Sequence, residues 1–175
     1  MPLSFPVIGR PNSASIFPYH WETGEQSHRY GASSPSSGTL SQNRAYFVGI
    51  TITAPYPVAN GIVVNTATVN GNIDFGIYDE NGTRLISTGL TAVSGANTLQ
   101  VVPMSYTLQP GRYYMAFGTD SATGTFFRWT QGTQTGRVAG FYTAASSIAL
   151  PATVTFAVPQ VNDIPCFGIT RMTTI

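Results

Sequence analysis

The chain has 175 residues, a length that fits one domain, and 42% of them are hydrophobic, which excludes a chain that is disordered by composition. Only 9% are charged, against about 25% in a typical soluble domain, and the formal net charge is +1. All eight cationic residues are arginines scattered singly from Arg10 to Arg171, which excludes the clustered basic surface of a nucleic-acid-binding protein. So little charge suits a surface that is buried against other subunits.

The cysteine content and the hydropathy of the sequence exclude further classes of protein. Cys166 is the single cysteine, which excludes an intrachain disulfide and a cysteine-based metal cluster. Met1 to Pro6 lack the cationic segment of a secretory signal peptide, and no apolar stretch approaches the roughly 20 residues that span a membrane. We therefore expect a protein that is made in a cytosol, is soluble there and has no membrane partner.

Residues 1–43 show no periodic pattern of hydrophobic residues. Prolines recur through the segment, and they remove backbone donors and favour an extended chain. It is nevertheless too apolar for a free tail, because it contains Ile16, Phe17, Tyr19, Trp21 and Tyr30. The sequence predicts an extended, irregular N-terminal arm over 1–43 that docks on its own domain or on a neighbouring subunit, followed by a β-domain over 44–175.

From Arg44 onward the pattern changes to that of β-strands. Hydrophobic side chains alternate over 46–52, which predicts a strand with one buried face. Pro55 and Pro57 are predicted to end this strand, and a second strand is predicted over 62–69.

The clearest hairpin runs from 73 to 87. Alternation assigns one face of its first strand to Ile73, Phe75 and Ile77 and the outward face to Asp74, Gly76 and Tyr78. The turn Asp79-Glu80-Asn81-Gly82 then reverses the chain, because Asn-Gly favours the positive backbone angles that such turns need.

The remaining strands follow at short, regular intervals, separated by turn residues. They are predicted over 98–106, 112–119, 125–130, 137–143, 153–158 and 166–172. Residues 144–150 have room for one helical turn at most. The sequence therefore predicts an all-β fold, a β-sandwich or jelly-roll-like domain with an irregular N-terminal arm.

Two stretches carry a resemblance to a known family. Residues 75–85 read FGIYDENGTRL and residues 108–116 read LQPGRYYMA. They resemble the GIYDxxGxxL hairpin and the LxPGxYYxA strand of a β-sandwich module that recurs in virion proteins of tailed bacteriophages, of the capsid-decoration, head-fibre or tail-component type. The resemblance implies a virion protein present in many copies, often as a trimer, whose partners are copies of itself and other virion proteins.

The acidic residues do not form an evident catalytic pair. Asp79 and Glu80 are neighbours in a turn, so their side chains diverge, and Asp74 is placed on an outward strand face. Asp120 and Asp163 are predicted to lie in loops. A pair of acids contributed by two different sheets is the alternative that the sequence leaves open.

Metal and nucleophile chemistry also lack a matching motif. His20 and His28 lie in the arm, away from any Gly-x-Ser-x-Gly elbow, and their spacing to Glu22 or Glu25 matches no zinc motif. A calcium set drawn from Asp79, Asn81 and Asp120 is conceivable, but turn formation explains these residues equally well. We therefore predict no catalytic residue, no cofactor and no metal.

Aromatic residues provide the main alternative to a purely structural role. Alternation separates Tyr113, Met115 and Phe117 from Tyr114 and Ala116, and it separates Phe127 and Trp129 from Phe126 and Arg128. Only one set in each strand can enter the core. The other set, together with Tyr78 and Tyr142, must be covered by the arm, covered by another subunit, or left as a platform for sugar rings.

These observations favour a non-enzymatic structural protein of a phage virion, either a capsid decoration or a tail component, that assembles through its arm and its sheet faces. The alternative is a carbohydrate-binding or receptor-binding β-sandwich module that contacts host surface glycan. A small hydrolase is a third class, and turnover that an Asp or Glu substitution abolishes would identify it.

Overall fold

The computed structural model describes residues 7–9, 15–16, 36–130, 141–145, 148–156 and 163–172, apart from the side chains of 7–9, 15–16, 129 and 130. Within these ranges every regular element is a β-strand, so the predicted all-β class is confirmed. No helix in these ranges is long and apolar enough to span a membrane. In chain order the strands are β1 (Val7–Gly9), β2 (Ser15–Ile16), β3 (Ser36–Thr39), β4 (Arg44–Ile52), β5 (Tyr56–Val64), β6 (Asn72–Asp79), β7 (Arg84–Ser87), β8 (Thr91–Ala92), β9 (Leu99–Leu108), β10 (Gly111–Thr119), β11 (Thr125–Thr130), β12 (Phe141–Ala145), β13 (Asp163–Pro165) and β14 (Phe167–Thr170).

The strands form three sheets. The largest has seven strands in the order β1-β4-β10-β6-β7, with β12 paired to β4 and β8 paired to β6. A four-stranded sheet has the order β2-β14-β5-β9, and a three-stranded sheet has the order β13-β11-β3. All pairs are antiparallel except β1 with β4, which is parallel. β10 lies at the centre of the largest sheet, between β4 and β6.

One hydrophobic core joins the three sheets. Phe117 of β10 lies at its centre, and its ring centroid is 5.3 Å from that of Phe75 in β6. The same ring lies 5.6 Å from Phe126 of β11 and 5.6 Å from Phe167 of β14. All four rings are almost fully buried. The predicted alternation of β6 and β10 is thus confirmed on this side, where Ile73, Phe75, Ile77, Met115 and Phe117 all enter the core.

The described part of the N-terminal segment pairs with strands of the β-domain. β1 pairs with β4, β2 pairs with β14, and β3 pairs with β11. Leu40 lies in the main core and is 5% exposed. A domain boundary between residues 43 and 44 stays a prediction, as does docking of the segment on another subunit. The remaining proposed anchors, Phe17, Tyr19, Trp21 and Tyr30, lie outside the described residues.

The two prolines near residue 56 differ in their positions: Pro55 lies between two strands, as predicted, but Pro57 does not, and the second strand covers residues 56–64 in place of the predicted 62–69. β4 ends at Ile52, and Pro57 lies inside β5 instead of ending the previous strand. β5 pairs with β14 only over residues 60–63, so among the described strands β9 is the single neighbour of β5 at Pro57. A proline is tolerated there because it leaves fewer ladder hydrogen bonds unmade.

Other boundaries differ in the last third of the chain. β12 begins at Phe141, while 137–140 of the predicted strand lie outside the described residues. The predicted helical turn over 144–150 is wrong at its start, because β12 continues to Ala145. In place of a strand from 153, the described part of 153–158 contains only an isolated bridge between Thr153 and Thr83. β8 and β13 are too short for a period of two to reveal them in the sequence.

Gly61 tests the close contact between β5 and β6. A Cβ atom added at Gly61 would lie 2.5 Å from Cγ of the buried Phe75 ring. We expect Gly61→Ala to lower the free energy of unfolding by about 1–3 kcal/mol, because neither sheet can yield without disturbing the core. Gly111→Ala is the matched control, since its nearest neighbour atoms would be 3.4 Å from the added Cβ. Urea unfolding of the two variants checks the difference, and equal losses would contradict this account of the packing.

Candidate functional site

The outer face of the seven-stranded sheet, opposite the main core, carries a second buried cluster. Its fully buried members are Ala45, Phe47, Tyr78, Ala116 and Leu150. Alternation along β4, β6 and β10 sends the first four of these side chains to this face. Leu150 comes from residues 148–156, which we call the strap because they lie across the face. The sequence predicts that this face is covered by the arm, covered by another subunit or left as a platform for sugar rings; the strap, which covers it in part, is none of these three.

Glycines make room for the strap. A Cβ atom added at Gly76 would lie 2.8 Å from Cδ1 of Leu150, and one added at Gly118 would lie 3.3 Å from Cδ2 of the same side chain. Gly82, with a φ of +82°, accepts a hydrogen bond of 2.8 Å from the backbone N–H of Val154. The pattern of glycines on the same face as Tyr78 is the sequence signal that could have predicted this close approach.

Asp74 anchors the strap and is completely buried. Its carboxylate accepts hydrogen bonds from the Ser87 hydroxyl at 2.8 Å, from the Thr88 hydroxyl at 3.1 Å and from the Leu150 backbone N–H at 2.9 Å. The prediction of a solvent-facing Asp74 is therefore wrong. The side chain does point to the outer face, but the strap and β7 supply donors that replace water.

Tyr78 and Arg84 bind the next part of the strap. The Tyr78 hydroxyl donates a hydrogen bond of 2.6 Å to the carbonyl of Pro151, and the backbone N–H of Arg84 donates one of 2.9 Å to the carbonyl of Ala152. Burial raises the pKa of Tyr78 far above its usual value; the Arg84 charge opposes this rise and the Asp74 charge adds to it. The hydroxyl thus stays protonated at neutral pH and remains a donor to the strap.

Three half-buried rings form an aromatic rim where the strap ends. They are Tyr114 of β10, Tyr142 of β12 and Phe156 of the strap. The Tyr114 and Phe156 ring centroids are 3.9 Å apart, and Tyr142 lies 5.7 Å from Tyr114 and 5.6 Å from Phe156. Phe47 supports the rim from below, with its centroid 5.4 Å from that of Phe156. The rings stabilise one another and still present part of their area to solvent.

Two opposite charges lie near the rim. Burial raises the pKa of Tyr114, and Tyr142 and Glu80 add to the rise while Arg112 opposes it. Both Arg112 and Glu80 are exposed. The rim therefore combines ring surface with one donor-rich and one acceptor side chain, a combination that suits polar ring-shaped ligands such as sugars.

Asp79 has a structural role in the turn between β6 and β7. Its Oδ1 atom accepts hydrogen bonds from the backbone N–H groups of Asn81 at 2.9 Å and Thr83 at 2.8 Å. Gly82 has the positive φ that such a hairpin turn needs, so the predicted turn is confirmed. Glu80, in the same turn, is exposed.

The other acids also have structural partners. Asp120 accepts hydrogen bonds from the backbone and the side-chain amide of Asn72, at 2.6 Å and 2.8 Å. Asp163 forms an ion pair with Arg128. In the described ranges no three His, Cys, Asp or Glu side chains come together as metal ligands. Four of the residues weighed for zinc or nucleophile chemistry, His20, Glu22, Glu25 and His28, lie outside the described residues.

β11 follows the predicted alternation only in part. Phe126 is fully buried in the main core, while Phe127 on the opposite face is half-buried. The Arg128 side chain is partly buried, with 21% of its area exposed, and it forms an ion pair with Asp163. The side chain of Trp129 lies outside the described residues.

The long edge strand β9 forms a third candidate surface. Among the described strands it pairs with β5 alone, and it contains no charged residue. Leu99 and Val101 are each 39% exposed. An open groove of about 580 Å³ lies next to it, between Pro57 of β5, Pro103 of β9 and Arg171. The absence of charge from this strand was visible in the sequence, but its position at an edge was not.

Neither models of known protein families nor curated protein sequences give a match to this chain. The candidate surfaces are therefore assigned from residue chemistry and geometry.

Asp74→Asn tests the attachment of the strap. The amide would replace a charged acceptor of three hydrogen bonds by a neutral group with one acceptor oxygen and an NH2 donor that would face the Leu150 N–H and the two hydroxyls, so we expect a loss of about 1–3 kcal/mol in the free energy of unfolding. We also expect faster hydrogen exchange at the Leu150 amide, which donates to Asp74. Glu80→Gln removes an exposed carboxylate and serves as the control. Unchanged stability and unchanged Leu150 exchange in Asp74→Asn would contradict the anchoring role.

Proposed function

We propose that the protein is a non-enzymatic structural component of a phage virion, located on the capsid or in the tail, that assembles with copies of itself and with other virion proteins. The resemblance of 75–85 and 108–116 to the phage module motivates the proposal. Its plausibility is supported by the position of the two stretches, since β6, β7 and β10 are consecutive neighbours in one sheet. The trimeric state that the resemblance implies is part of the proposal.

The finer fold belongs to the same proposal. We infer that the seven-stranded and four-stranded sheets face each other as a β-sandwich of the jelly-roll type. Support comes from the main core, in which Phe117 of one sheet packs on Phe167 of the other at 5.6 Å. Stacked sheets with this kind of shared core are frequent in proteins that assemble into shells.

The observation that carries the proposal is the uncharged, exposed edge strand β9. Proteins that remain monomeric usually protect a long edge with charged residues, short strands or coverage by other elements. β9 has ten residues, no charge, and exposed Leu99 and Val101. Together with the 9% of charged residues in the whole chain, this favours burial of surface between subunits.

The first test is the native mass of the full chain, measured by light scattering after size exclusion over a range of concentrations. We expect a closed oligomer, because symmetric association is the ordinary way to bury identical apolar surfaces. A chain that stays monomeric at every concentration would contradict self-assembly and would favour the binding-module alternative.

A chain that starts at Ser36 extends this test to the N-terminal arm. Truncation at 43 is unsuitable, because it would remove β3 and the buried Leu40 along with the arm. We expect the shorter truncation to keep the β-rich circular dichroism spectrum of the full chain and to lose or weaken the oligomer. An oligomer with the same number of copies as that of the full chain would remove the arm from the proposed interface.

The aromatic rim supports a second candidate, a module that binds host surface glycan. Tyr114, Tyr142 and Phe156 present ring area at one place, with Arg112 and Glu80 near enough to influence the Tyr114 hydroxyl. Sugar rings stack on such aromatic faces and hydrogen-bond to charged side chains beside them. On this alternative the rim, and not β9, is the working surface.

Arg112→Gln and Glu80→Gln test the glycan alternative without disturbing the core, because both side chains are exposed. If the rim binds sugar, we expect retention on purified bacterial cell-wall glycan to weaken by about tenfold, equivalent to about 1.4 kcal/mol. Asn81→Gln, an exposed change in the neighbouring turn, is the control. No retention of the unmodified chain, or equal retention of all variants, would argue against this use of the rim.

A further inference from the structure

Among the described residues, some backbone groups of β9 have no hydrogen-bond partner, and the ladder with β5 defines which ones they are. The N–H of Asn65 donates to the carbonyl of Thr98 at 2.9 Å, which makes this a hydrogen-bonded pair at the start of the β5–β9 ladder. Antiparallel ladders alternate hydrogen-bonded and non-hydrogen-bonded pairs. In this register Gln100 pairs with Val63 and Val102 pairs with Gly61, so they direct their backbone groups toward β5. Leu99 and Val101 consequently direct their N–H and C=O groups away from β5, toward the free edge.

Pro103 limits the length of the free edge. It is the next residue after Val101 whose backbone faces away from β5, and a proline has no N–H to donate. Before the irregularity that follows Pro103, the stretch from Leu99 to Val101 is therefore the part of this edge with a complete set of donors and acceptors. A partner strand has a short, defined window in which to pair.

The side chains in this window are apolar on one face and buried on the other. Leu99 and Val101 are exposed on the outer face, while Gln100 and Val102 are buried on the inner face. Gln100 is held in place by its side chain, which donates to the carbonyl of Ala92 at 2.8 Å. The window is thus rigid on its inner side and apolar on its outer side.

We propose that β9 of one copy pairs with β9 of a second copy, antiparallel and about a two-fold axis at Gln100, so that Leu99 of each copy lies opposite Val101 of the other. Each of the two pairs then exchanges two backbone hydrogen bonds, and the four apolar side chains meet on one face. Two four-stranded sheets become one continuous sheet. This inference depends on the proposed self-association, and β9 is the surface through which the copies would associate.

A second copy is the favoured occupant because of charge and register. β9 has no charged side chain, so two identical strands meet without like-charge repulsion, and a charged partner would gain no ion pair from it. Moving the axis to Val101 would place Leu99 opposite Pro103, where the carbonyl of Leu99 would face a residue that cannot donate. The axis at Gln100 satisfies every backbone group in the window.

The pairing has a consequence for the number of copies. A two-fold contact uses the same patch on both partners and closes at two copies. A protein that also forms the trimer implied by the phage resemblance would therefore assemble as six copies through this contact. In either case the number of copies is even.

Disulfide trapping in full-length chains tests the register. The native Cys166 is completely buried, and burial raises its pKa, so it does not compete for oxidation. In the proposed pairing the Cα atoms of Leu99 and Val101 of opposite copies are about 5.5 Å apart, within disulfide range. Two copies of the same position are roughly 7–8 Å apart, too far for a disulfide. We expect cross-linked dimer from an equal mixture of Leu99→Cys and Val101→Cys, and little from either variant alone.

The possible results separate the inference from the proposed function. Cross-linking in the mixture above that of each variant alone supports the β9 contact. If the cysteine variants form an oligomer of the same mass as the unmodified chain but the mixture gives no cross-link, the β9 contact is overturned and self-assembly still stands. A monomer under all conditions overturns both.

A charge in the window provides a second measurement. Val101→Lys should weaken association at least about tenfold, because two like charges would face the same apolar contact. Asn81→Lys adds the same charge at an exposed turn of the other sheet and should leave the mass unchanged. In the unmodified chain the Leu99 and Val101 amides should exchange more slowly as concentration rises. Equal association of the two lysine variants, or exchange independent of concentration in an oligomer, would overturn the inference.

Discussion

The central constraint on this structure is that the seven-stranded sheet is hydrophobic on both faces. Along β10, Met115 and Phe117 enter the main core while Tyr114 and Ala116 point the opposite way. A sheet of this kind is stable only if both faces are covered. The other two sheets contribute to the core on one side, and the strap covers part of the other. The glycines beneath Leu150 and the buried Asp74 follow from this second cover.

Apolar surface remains partly exposed at two places, one beside the strap and one on the four-stranded sheet. At the end of the strap the rings of Tyr114, Tyr142 and Phe156 remain half-buried, and on the four-stranded sheet β9 has no neighbour beyond β5 among the described strands. β9 also lacks the charge that normally keeps a soluble surface separate from its neighbours, whereas Arg112 and Glu80 lie near the rim. Under the proposed function, contact with another copy of the chain would cover the uncharged edge.

Much of the hairpin chemistry could be predicted from the sequence, because it depends on neighbouring residues. The inward positions of Phe75 and Ile77 follow from a period of two, and the turn at Gly82 follows from its freedom to adopt a positive φ. Asp74 shows the limit of this reasoning. Alternation gives its direction correctly, but its burial depends on Leu150, which is 76 residues away in the chain. The glycines on this face indicate that something approaches closely, but local sequence patterns do not identify the distant segment that supplies the cover.

Local sequence patterns are sufficient to predict the all-β class, the inward residues of the long strands, the β6–β7 turn and the low charge of the surface. All of these depend on local periodicity, turn chemistry or composition. The folded chain was needed to show which strand lies at an edge, which aromatic face is covered, and that Asp74 is a buried anchor. These properties depend on which distant segments pack together, and a long-range contact is fixed by the shape and burial of the whole domain.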